Sequence, residues 1–178
     1  MVMHIYLIGY RGTGKSTVGR LVAAALGRPF HDADIVLEHA AERTIAEIFA
    51  SEGEVGFRDR ESTTLAELAS RPPAVIATGG GIILRESNRE ILRFTGFVVW
   101  LTAAPETLWQ RIQGDATTAA RRPNLTATGG LAEVINLLAA REPHYRATAH
   151  RAIEAEARSP EAIAADILTG WHSFSTSP

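Results

Sequence analysis

The sequence lacks cysteine and long apolar runs, and it has no excess of positive charge. With no cysteine in 178 residues, disulfides, thiolate catalysis and cysteine-ligated zinc are excluded. No apolar run approaches the roughly 20 residues of a membrane-spanning helix, and no signal-peptide pattern is present. The 18 Lys and Arg are balanced by 20 Asp and Glu, which argues against a nucleic-acid partner. We therefore expect a cytoplasmic protein with no membrane or nucleic-acid partner, and separately we expect a monomer.

The chain does have enough apolar material for one packed core, since 46% of its residues are hydrophobic. Strand-like runs occur at 4–8, 30–33, 74–77, 97–101 and 151–154. Helix-like stretches occur at 17–26, 35–39, 45–49, 57–69, 88–93, 105–112, 131–140 and 160–168. Short strands that alternate with helices predict a parallel α/β sheet with right-handed crossovers. We expect one domain over 1–170, with a tail at 171–178 that frays.

Lysine is nearly absent too, because 17 of the 18 basic residues are arginine and only Lys15 is lysine. It lies in Gly-Tyr-Arg-Gly-Thr-Gly-Lys-Ser at 9–16, which fits the P-loop pattern between a strand and a helix. Glycines there let backbone N–H groups point at a phosphate, while Lys15 reaches the β- and γ-oxygens and Ser16 binds Mg²⁺. The alternative is a glycine-rich turn without a ligand. We expect ATP to contact Gly12, Thr13, Gly14, Lys15, Ser16 and Thr17.

Two carboxylates, Asp32 and Asp34, end the short extended segment at 30–33. Because they are two residues apart, both would project to the same side of a strand. Beside a P-loop, one carboxylate can hold Mg²⁺ and the other can accept the proton of an attacking hydroxyl. The alternative is that Asp34 only caps a helix that begins at Ile35.

Three further features are candidates for ligand binding, each with a structural alternative. Arg58 lies near the head of a helix with Glu61 one turn later, so the two could form a surface salt bridge. The glycines at 79–81 follow a buried strand and permit close approach of a ligand at the carboxyl end of a parallel sheet. Arg141 would end the helix begun at 131, where it could simply complement the helix dipole.

The segment at 114–130 is rich in Gly, Ala and Thr around Arg121-Arg122-Pro123. It is too long and polar for an ordinary connection in a compact domain. We expect either a functional lid or a mobile loop there.

In order and spacing, these motifs resemble the shikimate kinases over nearly the whole chain. The resemblance rests on the P-loop, Asp32-x-Asp34, Gly53-Glu54 with Phe57-Arg58 and Glu61, the glycines at 79–81, Arg122-Pro123, and Arg141-x-Pro143-x-Tyr145. It implies a single-domain P-loop kinase fold with helices on a central parallel sheet of about five strands, in the order 2-3-1-4-5, and a mobile lid at 114–130.

The resemblance also implies roles for single residues. Shikimate would contact Asp34 through its hydroxyls, Arg58 and Arg141 through its carboxylate, and also Gly79, Gly80, Gly81, Phe49 and Phe57, the two rings forming an aromatic wall. ATP phosphates would contact Lys15 and Arg122, Mg²⁺ would bind Ser16 and Asp32, and the adenine would lie between Arg111 and Arg158. The chain departs from many relatives at Asn124 in the lid and at Glu154-Ala155 in the last strand, and neither departure removes a catalytic group.

We therefore predict an enzyme that transfers the γ-phosphoryl of ATP, with Mg²⁺, to shikimate, giving shikimate 3-phosphate in aromatic amino acid biosynthesis. Lys15 and Arg122 would stabilise the developing negative charge, and Asp34 would accept the hydroxyl proton. One alternative is a related kinase such as a gluconate kinase, which the pairing of Arg58 and Arg141 with the glycine run disfavours. A non-catalytic ATP-binding module is the other, although every group that the reaction needs is present.

Overall fold

The centre of the molecule is a parallel β-sheet in the computed structural model, which describes residues 3–114 and 129–176. The strands, numbered β1 to β5 in chain order, are His4–Ile8, Phe30–Asp32, Val75–Ala77, Gly96–Thr102 and Arg151–Glu154. Their order in the sheet is β2-β3-β1-β4-β5, and every neighbouring pair is parallel. The predicted fold class and strand order are confirmed.

Helices cover both faces of the sheet. In chain order, the α-helices of the described ranges are α1 Lys15–Leu26, α2 Ala33–Ala41, α3 Ile45–Ser70, α4 Glu86–Thr95, α5 Pro105–Gly114, α6 Gly130–Thr148 and α7 Pro160–Ser175. A 3₁₀ turn at Ile82–Leu84 precedes α4. The helices predicted at 45–49 and 57–69 are the two halves of α3, because Gly53 (φ 69°, ψ −172°) interrupts the helix with a kink.

The alternation of β1 side chains divides the core into two layers. Ile5 and Leu7 pack with the apolar faces of α1 and α7, whereas Tyr6 and Ile8 pack with α3, α4 and α6. Because both faces are covered, the strands are buried throughout their central part, as their continuous apolar runs predict. The carboxyl ends of parallel strands meet at one edge, and the candidate site residues lie along that edge.

The C-terminal tail differs from the prediction. Residues 171–178 were expected to fray, but α7 continues to Ser175 and Trp171 is only 6% exposed. Its indole packs near Phe97 and lies under the guanidinium of Arg28, whose Cζ is 4.8 Å from the ring centroid. Burial of a large aromatic side chain outweighs the weak helix propensity of the Ser and Thr residues around it.

The predicted lid falls mostly outside the described residues, since 115–128 are not among them and Arg122 is one of these. The described helices include none with both the length and the apolar character needed to cross a membrane.

Candidate functional site

The P-loop segment forms a tight turn between β1 and α1. Gly9, Gly12 and Gly14 have φ angles of 140°, 84° and 86°, a region that favours glycine. A Cβ on Gly9 would come 2.5 Å from the carbonyl oxygen of Leu101, so the sheet itself excludes a side chain there. Gly14 is the N-cap of α1, and the first N–H groups of that helix therefore face the turn.

Lys15 is buried inside this turn. Its Nζ donates hydrogen bonds to the carbonyl oxygens of Gly9 and Tyr10, each at 2.8 Å. These carbonyls hold the ammonium group against the backbone of the turn that leads into α1. The turn thus concentrates an ammonium and a helix N-terminus at one point, an arrangement suited to a phosphate.

Ser16 and Asp32 lie against each other at the same sheet edge. Ser16 Oγ donates to Asp32 Oδ2 at 2.6 Å, and Asp32 Oδ1 accepts from the backbone N–H of Asp34 at 3.1 Å. The two oxygen ligands suit Mg²⁺, which takes few protein ligands beside phosphate and water oxygens. Across the described ranges, no group of three His, Asp or Glu could hold a metal ion by itself. A metal ion at Ser16 and Asp32 would therefore also need oxygens from a bound phosphate or from water.

The predicted placement of the two carboxylates on one side of a strand is wrong. Strand β2 ends at Asp32, and Asp34 lies in the first turn of α2. The alternative, in which Asp34 caps a helix from Ile35, is wrong too, since Asp32 in an extended conformation (φ −96°) is the cap. An aspartate cap starts the helix at Ala33, two residues before the predicted start, and this turns Asp34 away from the strand direction.

Arg58, only 8% exposed, is neutralised by carboxylates of its own helix α3. Its Nη1 donates to Glu61 Oε2 at 2.8 Å and its Nη2 to Glu54 Oε1 at 3.3 Å. The pairing of Arg58 with Glu61 was one prediction, but the pair is buried and not on the surface. A Cβ on Gly81 would come 2.5 Å from Arg58 Cζ and still closer to Nη1. The glycine run therefore allows the guanidinium to lie against the backbone.

Arg141, 6% exposed, is the second buried guanidinium. Its Nη1 is 3.5 Å from the carbonyl oxygen of Gly80, and its Cζ lies 5.7 Å from the ring centroid of Tyr10. No carboxylate of the described residues forms an ion pair with it. The prediction that Arg141 ends its helix is wrong, because α6 continues through Pro143 to Thr148. The burial of Tyr145 against Trp100 holds the helix together past the missing N–H of Pro143.

Tyr145 is a site residue that the sequence motif contained without a role. It is fully buried, its hydroxyl donates to the carbonyl oxygen of Gly80, and burial raises its pKa well above the usual range. The hydroxyl therefore stays protonated as a donor. Tyr145 is four residues after Arg141, on the same helix face, and this spacing is the signal that could have identified it.

Phe49 and Phe57 lie against each other, with ring centroids 4.6 Å apart, and their role as the wall of the substrate pocket stays a prediction. Phe57 is buried in an apolar cluster with Leu37, Ile45 and Ile48. Arg58 Cζ lies 5.1 Å from the Phe57 centroid, so the aromatic pair adjoins the guanidinium.

Arg111 and Arg158 lie around the segment that follows β5. Arg111 donates to the carbonyl oxygens of Gly12 and Ala155, at 3.3 and 3.1 Å, and thereby joins the P-loop to this segment. Arg158 forms an ion pair with Asp166 of α7 at 2.8 Å. Glu156 was not predicted: it accepts from Thr107 Oγ1 and from the Ala104 N–H, which lower its pKa. Its partners are distant in sequence, so no local signal marks it.

The phosphate-binding turn and the arginine cluster touch each other through Gly80. A Cβ on Gly80 would lie 3.4 Å from the carbonyl oxygen of Gly9 and 3.6 Å from the Cα of Tyr10. A phosphate on the P-loop and an anion on Arg141 would thus be bound on neighbouring backbone segments. This arrangement suits transfer of a phosphoryl group to an anionic acceptor.

Comparison with known proteins agrees with this geometry. The family model "Shikimate kinase" matches residues 11–171. A shikimate kinase of Rhodopirellula baltica is 51% identical over 93% of this chain and 88% of its own length. One of Symbiobacterium thermophilum is 49% identical over 93% of this chain and 94% of its own. The solved shikimate kinase from Acinetobacter baumannii in complex with shikimate is 41% identical, with a TM-score of 0.91 over 99% of this chain and 97% of that one.

Proposed function

Because this chain belongs to the shikimate kinase family and is a kinase that phosphorylates shikimate, we propose that its two adjoining sites hold ATP and shikimate side by side. In this reaction the γ-phosphoryl group leaves the β-phosphate of ATP and bonds to a hydroxyl oxygen of the acceptor, whose proton must be removed. Catalysis then depends on positioning and on stabilisation of negative charge. The residue roles below belong to this proposal.

ATP would bind with its phosphates over the P-loop. The N–H groups at the start of α1 and the ammonium of Lys15 support this placement, since they meet at one point. Thr13 lies in the turn before Lys15, and Thr17 lies in the first turn of α1. Arg111 supports an adenine site beside the segment after β5, because it joins that segment to the P-loop. Arg158 would border the adenine from the start of α7.

Ser16 and Asp32 would hold Mg²⁺, because their oxygens are adjacent and of the type that this ion prefers. When bound, the ion would neutralise charge on the phosphates. Asp34 would accept the proton of the hydroxyl, and its place in the first turn of α2, beside Asp32, supports that role. Arg122 lies outside the described residues, and its part in charge stabilisation stays a prediction.

The buried guanidinium of Arg141 is the observation that carries the assignment of the acceptor site. A buried charge without a partner is strongly unfavourable, and truncating one partner of a buried pair is destabilising by about 3–5 kcal/mol. Arg58 has Glu61, whereas the contacts of Arg141 with described residues are all to neutral groups, namely the Gly80 carbonyl oxygen, the Tyr10 ring and the Tyr145 hydroxyl. A ligand carboxylate between Arg58 and Arg141 would supply the missing counter-charge. The related Acinetobacter protein was solved in complex with shikimate, which has one carboxylate on its ring.

A coupled assay of ATP turnover tests this proposal. We would compare shikimate with an analogue in which the carboxylate is reduced to an alcohol, and with gluconate. Charge-assisted bonds contribute about 1.5–3 kcal/mol each, so the analogue should lose at least about tenfold in kcat/KM. For Arg141→Ala in the same assay, Arg146→Ala is the matched control, because Arg146 is also on α6 but is exposed and paired with Glu142. An analogue phosphorylated as well as shikimate would contradict the placement of the carboxylate. A cytoplasmic location and a monomeric state stay predictions.

A further inference from the structure

One face of α6 contacts both halves of the site. Glu133, Leu137, Arg141 and Tyr145 are spaced four residues apart and so lie along one side of the helix. Tyr145 and Arg141 contact the Gly80 carbonyl oxygen, Arg141 also lies over the Tyr10 ring, and Leu137 packs against the cluster that contains Tyr10. At the N-terminal end of this face, Glu133 meets Arg11 of the P-loop. A single rigid helix thus touches the P-loop and the glycine run at several points.

Arg11 and Glu133 form an ion pair in the interior. Arg11 Nη2 is 3.5 Å from Glu133 Oε1, and the two side chains are 10% and 1% exposed. Arg11 occupies one of the unspecified positions of the P-loop motif, so phosphate binding by itself does not require an arginine there. The motif therefore leaves this pair without an explanation.

The geometry of the pair is poor for stability. The N···O distance of 3.5 Å is long, and the Nε of Arg11 is buried without a hydrogen-bond partner among the described residues. Burial of an ion pair with imperfect geometry adds little or nothing to stability, compared with apolar side chains of similar size. What the pair does provide is a fixed point of attachment between the Tyr10-Arg11 bend and the helix that carries Arg141.

We propose that Arg11 and Glu133 are positioning residues for phosphoryl transfer, which fix the P-loop relative to Arg141. This inference rests on the proposed function, because it assumes a phosphate on the P-loop and the acceptor carboxylate on Arg141. In-line transfer requires the acceptor oxygen to lie near its attack position, and a misplacement of about 1 Å can cost about 100-fold in rate. Loosening the pair allows the loop and α6 to shift against each other while each keeps its own ligand.

The test uses variants that keep side-chain size: Glu133→Gln, Arg11→Met and the double variant. Each single variant should lower kcat at least about tenfold, whereas the dissociation constants of ATP and shikimate, measured separately by calorimetry, should change less than about threefold. The double variant should be no slower than the slower single one, because both remove the same contact. Arg11→Lys, which keeps the charge, should recover part of kcat.

The matched control is the exposed pair on the same helix, Glu142 with Arg146. Glu142→Gln and Arg146→Met should leave kcat unchanged. Thermal unfolding and active-site titration with shikimate correct kcat for the folded fraction. A normal kcat in Glu133→Gln, strictly multiplicative losses in the double variant, or a loss confined to ATP affinity would each overturn the proposal. Failure of the wild-type protein to turn over ATP with shikimate would instead overturn the proposed function.

Discussion

The two ends of the site, the proposed phosphate end and the proposed acceptor end, are built in opposite ways. The phosphate end is one continuous turn, in which three glycines with left-handed or unusual φ angles lead into Lys15 and the N-terminus of α1. The acceptor end takes Asp34 from α2, Arg58 from α3, a glycine run after β3 and Arg141 from α6. The first depends on local backbone geometry, whereas the second depends on the sheet order that brings distant elements together. Substitutions should therefore separate the two ends kinetically.

Lys15→Ala should have the largest effect, and it should impair the phosphate end of the site without impairing the acceptor end. We expect turnover to fall by several orders of magnitude, since a single oxyanion donor elsewhere contributes about 10²–10³ in rate. Shikimate binding, measured by calorimetry without nucleotide, should be largely retained. Lys15→Arg is the control that keeps the positive charge. Its turnover should also be low, because a planar guanidinium cannot replace a compact ammonium inside this turn. Near-normal turnover in Lys15→Ala would refute the assignment of the P-loop.

Asp32 and Asp34 lie where the two ends meet. Asp32→Asn should therefore affect the phosphate end, and Asp34→Asn the acceptor end. Asp34→Asn should abolish turnover and weaken shikimate binding while ATP binding is kept. Asp32→Asn should mainly raise the Mg²⁺ concentration that the reaction requires, and asparagine can still cap α2. Titration of each variant with ATP, shikimate and Mg²⁺ measures the difference. Equal defects in both variants would show that the two carboxylates share one role.

The two buried arginines allow a comparison within the acceptor end. Arg141→Ala and Arg58→Ala should each raise the KM for shikimate and leave the KM for ATP unchanged. Only Arg58→Ala leaves a buried carboxylate, Glu61, without its guanidinium partner, so it should also lower the free energy of unfolding by about 3–5 kcal/mol. Steady-state kinetics and urea unfolding separate these outcomes. A comparable stability loss in Arg141→Ala would mean that Arg141 is held by the protein and not kept for a ligand.

Gly81→Ala should have a smaller effect that reaches shikimate only through Arg58. The new Cβ would come 2.5 Å from Arg58 Cζ, so the guanidinium must move, which should raise the KM for shikimate several-fold with the KM for ATP unchanged. Gly170→Ala is the control, since a Cβ there would come 2.8 Å from Nη1 of Arg151, an arginine that lies outside the candidate site. An unchanged KM for shikimate would show that Arg58 can shift without loss.

The smallest expected effect is a pH dependence of the free energy of unfolding, and it comes from two histidines that lie away from both ends of the site. His4 Nδ1 accepts from the Ala74 N–H at 3.2 Å, His150 Nδ1 accepts from the Val98 N–H at 3.0 Å, and burial lowers the pKa of both below 6.5. The folded state therefore binds fewer protons than the unfolded state. Stability should be full above pH 6.5 and decline below it, by at most about 1.4 kcal/mol per pH unit for each histidine. Urea unfolding between pH 5 and 8 measures this. His150→Asn should flatten the decline.

Most features whose surroundings are local were predicted correctly. The P-loop turn, the alternation of strands and helices, and the pairing of Arg58 with Glu61 one turn apart all follow from short-range spacing. The strand order and the roles of single residues came from the resemblance, and the structure confirms the strand order. The glycine run was recognised as a place of close approach, but what approaches it, Arg58 and Tyr145, was not.

Most of what failed depends on burial and distant contacts, although the Asp32 cap that places Asp34 in α2 is a local feature. The sequence by itself determined a P-loop between a strand and a helix, because backbone conformation there is set by glycines within one turn. Only the tertiary structure decided that Arg141 is buried in mid-helix, that Trp171 belongs to the core, and that Arg11 meets Glu133. These outcomes depend on which surfaces the parallel sheet brings into contact, and packing then overrides the proline, serine and threonine signals that would locally end a helix.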